Sequence, residues 1–225
     1  MAGAFAGQAL AEEATSPWSL EAGVGYNIAT KSIVTGTDGN DINAPKVNTY
    51  GFDLTGVYTL DKNHSFNVRL GFATGSKDKS TSESDEDFSE IWTDKNDFTL
   101  NSLSVTVGYR YTGSLTDTLK GYVGANIGIA QNKIKWENTY SYSWSYYDEK
   151  GSESDKESDS ASAVGLAYSL EAGLSYTVSS GVDIFLAYQL AGNTAQPKFK
   201  EEGETYAKGK SQLNHGIRAG VNVQF

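Results

Sequence analysis

The chain ends on Leu213-Asn214-His215-Gly216-Ile217-Arg218-Ala219-Gly220-Val221-Asn222-Val223-Gln224-Phe225. Leu213, Ile217, Ala219, Val221, Val223 and Phe225 fall on one set of alternate positions, and Asn214, Gly216, Arg218, Gly220, Asn222 and Gln224 on the other. Successive side chains of a strand point to opposite sides, so this order predicts a β-strand with one apolar and one polar face. Only His215 interrupts the apolar set, and the arginine sits on the polar one.

Seven more segments alternate in the same way, at 18–29, 47–60, 65–75, 98–111, 119–131, 163–178 and 182–191. Their apolar faces are carried by Trp18, Leu20, Val24, Tyr26 and Ile28; by Tyr50, Phe52, Leu54, Tyr58 and Leu60; and by Phe66, Val68, Leu70 and Phe72. Leu103, Val105, Val107, Tyr109 and Tyr111 follow, then Leu119, Val123, Ile127 and Ile129. Val164, Leu166, Tyr168, Leu170, Leu174, Tyr176 and Val178 make the next face, and Val182, Ile184, Leu186, Tyr188 and Leu190 the last. With the closing strand this makes eight, an even number suited to an antiparallel up-and-down barrel.

Short connectors at 61–64, 112–118 and 179–181 alternate with long polar ones at 30–46, 76–97, 132–162 and 192–212. No run approaches the roughly 18 apolar residues that a spanning helix needs. A barrel crosses a bilayer with alternating strands of about 10 residues instead. Twenty-four glycines, fourteen tyrosines and three prolines in 225 residues suit strands and turns, and the absence of cysteine excludes disulfides and thiolate metal sites.

Alternation alone also fits a soluble barrel with its apolar face inward. The charges separate the two cases. No apolar-face position carries Asp, Glu, Lys or Arg, whereas the opposite face carries Glu21, Asp53, Arg69, Arg110, Lys120, Glu171, Asp183 and Arg218. That face is also rich in glycine, including Gly23, Gly71, Gly124, Gly173 and Gly220, which weakens a surface strand but makes room for long side chains in a narrow lumen. Aromatic residues gather toward both ends: Trp18, Tyr58, Phe66, Tyr109, Tyr111, Tyr176 and Phe225 near the short turns, and Tyr26, Tyr50, Phe52, Phe72, Tyr168 and Tyr188 near the long loops. Two aromatic girdles at the membrane interfaces account for this sorting. The expected fold is therefore an all-β, eight-stranded antiparallel up-and-down transmembrane β-barrel.

Gly121-Tyr122-Val123-Gly124-Ala125-Asn126-Ile127-Gly128, Val107-Gly108-Tyr109-Arg110-Tyr111 and Gly220-Val221-Asn222-Val223-Gln224-Phe225 resemble segments of small outer-membrane barrels of the opacity, OmpA-barrel and OmpX type. The resemblance implies insertion by the outer-membrane assembly machinery, with Phe225 as the aromatic that ends the assembly signal. It also implies a Gram-negative-type outer membrane, contact with its lipid and lipopolysaccharide, short turns and both termini in the periplasm, and long loops outside. Met1 to Ala11 resembles the remnant of a secretory signal peptide ending in Ala9-Leu10-Ala11, which leaves 12–225 as the barrel domain.

The eight lumen charges, four acidic and four basic, sum to zero. A neutral set in a confined space is expected to pair and plug it. The alternative is a narrow porin-like channel gated by these charges, with Arg218 as a central candidate. The net charge of −10 then belongs to loops, as in Ser82-Glu83-Ser84-Asp85-Glu86-Asp87 and the 148–159 run. So acidic a surface argues against nucleic acid. Neither those runs nor Asp38-Gly39-Asn40-Asp41 has calcium-loop spacing, so no metal or cofactor is expected.

Within the 132–162 connector, Ile134, Trp136, Tyr140, Tyr142, Trp144 and Tyr146 alternate with polar residues, so that strand is expected to run on past the membrane, beside Phe88, Ile91 and Trp92. Trp136, Tyr140, Tyr142, Trp144 and Tyr146 are candidate contacts for an external glycan or protein; a self-packed extension is the other reading. Catalysis finds no constellation. His64 lies in a short turn, and His215 is followed two residues later by Ile217, where a barrel deacylase of the lipid A type carries serine. The expectation is a non-enzymatic structural or surface-interaction protein acting through long acidic loops that bear aromatic residues.

Overall fold

The computed structural model describes residues 16–36, 44–85, 90–146 and 149–225. Residues 1–11, Asp38–Asp41 and Phe88 lie outside the described residues. The strands are β1 (Trp18–Ala29), β2 (Val34–Gly36), β3 (Thr49–Thr59), β4 (His64–Asp85), β5 (Glu90–Ser114), β6 (Leu119–Tyr146), β7 (Glu149–Ser179), β8 (Val182–Asn193), β9 (Lys198–Glu201), β10 (Glu204–Gly209) and β11 (Gln212–Gln224). Eight of them close into an antiparallel barrel in the order β1-β11-β8-β7-β6-β5-β4-β3. Closure is made by β1, which pairs with β11 from Ser19↔Gln224 to Ala29↔Asn214 and with β3 from Trp18↔Tyr58 to Asn27↔Thr49. No barrel edge is left open, as a hydrocarbon surround demands of any strand that crosses it.

The sidedness is the reverse of a soluble protein. Val24, Val68, Val107, Ile129, Leu170 and Leu186 are exposed on the outside, while Glu21, Arg69, Thr106, Arg110, Glu171 and Arg218 are buried. A continuous apolar belt around a polar interior is stable only where the surround is lipid. The expected girdles appear as neighbouring ring pairs: Trp18 with Tyr58 at 4.8 Å and Phe66 with Tyr109 at 5.8 Å toward one end, Tyr26 with Tyr50 at 4.9 Å and Phe52 with Phe72 at 5.5 Å toward the other.

The long connectors at 76–97 and 132–162 are largely strand. β4 and β5 stay paired out to Asp85↔Glu90, and β6 and β7 out to Tyr146↔Glu149, so two long hairpins rise above the belt and join through β5 and β6 into a four-stranded sheet. The anticipated extension of the fifth barrel strand is therefore present, with Ile91 opposite Ser143 and Trp92 opposite Tyr142. Polar sequence did not prevent strand formation there, because each strand is paired along its whole length and neither face needs to be apolar in water.

The apolar side changes hands where the belt ends. On β6, Val123, Ile127 and Ile129 point outward, but Ile134 and Trp136 point inward; on β5, outward Leu103 gives way to inward Leu100 and Phe98. Beyond that level Gln131, Lys133, Lys135 and Glu137 occupy the outer face of β6. Water begins where the outer face turns polar, and the apolar residues move inside because there is now something to cover.

That something is a cap. The 30–46 and 192–212 connectors supply β2, β9 and β10, a separate three-stranded sheet in the order β2-β10-β9. Ile33, Val34, Ala44, Phe199 and Ala207 of these segments, with Val47 just before β3, pack with Phe98, Leu100, Ile134 and Ala161 of the barrel wall in one buried apolar cluster. The β9–β10 turn uses Glu202 and Gly203 at φ 50° and 88°, the left-handed region that glycine enters without steric cost.

Candidate functional site

Six of the eight lumen charges meet in one layer, carried by β1 (Glu21), β3 (Asp53), β4 (Arg69), β5 (Arg110), β7 (Glu171) and β11 (Arg218). Arg110 donates through both terminal nitrogens to Glu21 and through Nη2 to Glu171 Oε1 at 3.0 Å. Arg69 Nη2 donates to Glu171 Oε2 at 2.8 Å, and its Nε lies 3.8 Å from Asp53 Oδ1. Arg218 Nε donates to Asp53 Oδ2 at 2.8 Å, Nη2 donates to Asp53 Oδ1 and to Glu21 Oε2, and Nη1 stands 3.9 Å from Glu171. Thr55 Oγ1 accepts from Arg69 Nε at 3.2 Å and donates to Asp53 Oδ1 at 3.1 Å.

Three carboxylates and three guanidinium groups thus neutralise one another. Arginine suits this place because its planar fork donates to two acids at once and keeps its charge when buried. Two aromatic rings missed from sequence complete the layer: Tyr122 lies under Arg110 and Phe185 under Arg218, each with the guanidinium carbon 4.5 Å from the ring centre. Both stand on the polar-side parity of their strands, which was a usable signal. Lys120 and Asp183 stand apart from the layer as a half-exposed pair at 3.4 Å, with Thr177 donating to Asp183 Oδ1 at 2.6 Å.

The ionic layer divides the lumen. A cavity of about 250 Å³ lies on the short-turn side, lined by residues including Glu21, Arg110 and Tyr122, and one of about 110 Å³ lies on the other, lined by Asp53, Arg69, Gln189 and Arg218. Above the second cavity comes the apolar cap.

The outer sheet holds the second group of candidates. Because the inward parity of β5 and β6 continues upward, Trp92, Trp136, Tyr140, Tyr142, Trp144 and Tyr146 all stand on the face that continues the lumen wall. Trp136 packs against the cap cluster, and its Nε1 donates to Asn96 Oδ1 at 2.8 Å. Trp92, Tyr142 and Trp144 form a ladder with ring centres 5.6 and 5.5 Å apart and planes 26° and 22° apart. Tyr140 and Tyr146 are exposed. The sequence set Trp92 beside this strand but left it out of the candidate contacts, although it stacks on Tyr142.

The carboxylates on this face have neutral partners. Tyr142 donates to Glu90 Oε1 at 2.8 Å, and Asn138 and Asn96 donate to Asp94 Oδ1 at 2.7 and 3.0 Å. On the opposite face the lysines pair: Lys95 with Asp97 at 3.0 Å, and Lys135 and Lys156 with Glu137 at 3.1 and 2.9 Å. The two cations hold the Glu137 carboxyl below its ordinary range, with Lys156 the larger influence.

Neither histidine joins a catalytic group. His64 Nδ1 shares a hydrogen with the Tyr109 hydroxyl in the lower aromatic girdle, and His215 stands beside Tyr188 with ring centres 6.1 Å apart on the outer face.

An inside-out closed barrel with a charged lumen and two aromatic girdles defines a transmembrane β-barrel protein. The family model described as outer membrane protein beta-barrel domain matches residues 1–225, and the chain belongs to that family, which places it in the outer membrane. Among solved structures, the Neisserial surface protein A is 14% identical, with 95% of this chain and 100% of that chain covered and a TM-score of 0.48. OprG from Pseudomonas aeruginosa is 12% identical, covering 94% of this chain and 97% of that chain at a TM-score of 0.47. Ail, the attachment invasion locus protein of Yersinia pestis, is 19% identical, covering 91% and 97% at a TM-score of 0.42. A search of curated protein sequences gives no match.

Proposed function

We propose that this chain is a surface-interaction protein in which a sealed barrel serves as anchor and the four-stranded outer sheet makes the contact with an external glycan or protein. The observation that carries this reading is the change of apolar parity at Ile129 to Ile134 and at Leu103 to Leu100. It marks the end of the lipid belt and leaves the paired outer parts of β4 to β7 in water with their aromatics on one face. In this arrangement the short turns and both termini lie in the periplasm. Phe225, which ends β11's apolar face, serves the assembly machinery, and lipid and lipopolysaccharide surround the belt.

The lumen supports an anchor rather than a channel. Three arginine–carboxylate groups fill it at one level, and an apolar cap covers it at another.

Register gives a clean test. Thr139 pairs with Lys156, so replacing 140–155 by Asn-Gly shortens the β6–β7 hairpin without shifting the pairs below it. The shortened protein is expected to fold and insert, seen by heat-modifiable mobility, and to lose binding to glycan arrays or target cells. Unchanged binding by the inserted variant overturns the reading. In planar bilayers the intact chain is expected to be silent, and steady conductance sensitive to Arg218→Ala replaces the anchor with a channel.

A further inference from the structure

The proposed contact surface has a chemistry of its own. We infer that the inner face of the outer sheet binds a basic protein segment, its arginine or lysine side chains stacking on Trp92, Tyr142 and Trp144 between flanking carboxylates. This deepens the surface-interaction reading and rests on it.

The first observation is the sorting of charge between the two faces of the same strands. On the outer face Lys95 pairs with Asp97, and Lys135 and Lys156 both pair with Glu137. On the inner face the ladder is bordered by Glu83, opposite Trp92 on β4, by Glu90 and Asp94 on β5, and by Glu153 and Asp155, opposite Tyr142 and Tyr140 on β7. Among the described residues none of these five forms a salt bridge. Lys77 and Lys79 lie lower on that face, opposite Phe98 and Asn96, beneath the ladder.

The second is the ladder itself. Gly151 stands opposite Trp144, and a Cβ there would run into the indole, so the ring lies flat across the β7 backbone. Beside it Trp92, Tyr140, Tyr142, Glu153, Ser154 and Asp155 line an open cleft. Aromatic faces attract cations by their quadrupole, and carboxylates at the rim add charge complementarity. Tyr142 and Trp144 follow each other along β6 with ring centres 5.5 Å apart, close to the 6 to 7 Å or so between alternate side chains of an extended peptide, so two successive basic side chains of one segment can meet them, while Trp92, across from Tyr142 on β5, widens the first position. Polyanions such as sulfated glycans and nucleic acids meet like charge on this face.

The test uses the full chain in non-ionic maltoside micelles and two fluorescein-labelled peptides, (Arg-Gly)5 and (Glu-Gly)5, followed by fluorescence anisotropy. Binding of the first peptide and not the second is expected. Trp92→Ala with Tyr142→Ala should weaken it about tenfold. Glu153→Gln with Asp155→Asn should weaken it similarly and flatten its dependence on salt. Heat-modifiable mobility confirms that each variant keeps its barrel. Absence of (Arg-Gly)5 binding to the intact chain overturns the inference, and so does wild-type affinity in the aromatic variant, which would reduce the attraction to net charge. If (Arg-Gly)5 does not bind while the 140–155 replacement still abolishes surface contact, this inference falls and the surface-interaction reading stands.

Discussion

Arg218 and Asp53 grip each other across β1: Arg218 Nε donates to Asp53 Oδ2 at 2.8 Å and Nη2 donates to Oδ1, although the residues are 165 positions apart. The strand between them passes at Gly23, where a Cβ would stand 2.7 Å from Asp53 Oδ2 and 2.9 Å from Arg218 Nε. Pair and glycine form one device, a lumen bridge over a strand with no side chain in the way.

Arg218→Gln is expected to destabilise the barrel by about 3 to 5 kcal/mol, because Asp53 and Glu21 keep their charge and lose their shared cation. Asp53→Asn in the same chain restores the balance of two acids to two arginines in the layer and should recover part of that loss. Urea unfolding in lipid vesicles measures both, and a double variant no better than the sum of the singles removes the coupling.

Gly23→Ala tests the space instead of the charge. The methyl group meets Asp53 and Arg218 together, so one of them must move. The expected cost is about 1 to 3 kcal/mol. A Gly56→Ala control, where nothing lies within 4 Å, should be near neutral.

The six charges of the lumen layer were legible in sequence by their shared parity, with Lys120 and Asp183, but not as one cluster. Counted along their strands from the short turns, Glu21, Arg69 and Arg110 stand lower than Asp53, Glu171 and Arg218. Arginine side chains are long enough to cancel that offset, so contacts follow reach and barrel stagger more than position. Tyr122 and Phe185 were overlooked because aromatic residues were assigned to lipid, whereas their parity assigns them to the lumen. The cap was not legible at all. Its contacts join 33–47 and 199–207 to Phe98, Leu100 and Ile134, and a pairing of separate polar connectors leaves no periodicity to read.

The cap is also tied to the outer sheet by hydrogen bonding. Tyr206 on β10 donates to Asp159 Oδ2 on β7 at 2.7 Å. Partial desolvation first, and then this bond, hold the phenol above its ordinary value of 10.0, although the residue is 37% exposed. A raised folded value means that the contribution to stability is complete below about pH 10 and is lost as pH rises through the folded midpoint. Tyrosine NMR signals in nanodiscs should show Tyr206 ionising late, above the ordinary tyrosine range. Asp159→Asn should lower that midpoint without returning it fully, since the partial desolvation remains. Hydrogen exchange in β9 and β10 should accelerate at high pH in the native chain, and Tyr206→Phe should blunt that dependence.

Phe225 separates assembly from stability. Its ring is 67% exposed on the lipid side, whereas its backbone is engaged: its amide donates to Trp18 O at 3.3 Å, and its carbonyl accepts from Ser16 N at 3.0 Å. Replacing the ring by a methyl group leaves these bonds in place, so Phe225→Ala is expected to unfold in urea within about 1 kcal/mol of the native chain. In cells the same change should lower the yield of inserted barrel severalfold if the terminal aromatic is read by the assembly machinery. Protease protection and heat-modifiable mobility of the membrane fraction measure that yield. A stable variant that also inserts normally would make Phe225 one more residue of the aromatic girdle, and the recognition signal would then have to lie in the alternation of Leu213 to Gln224.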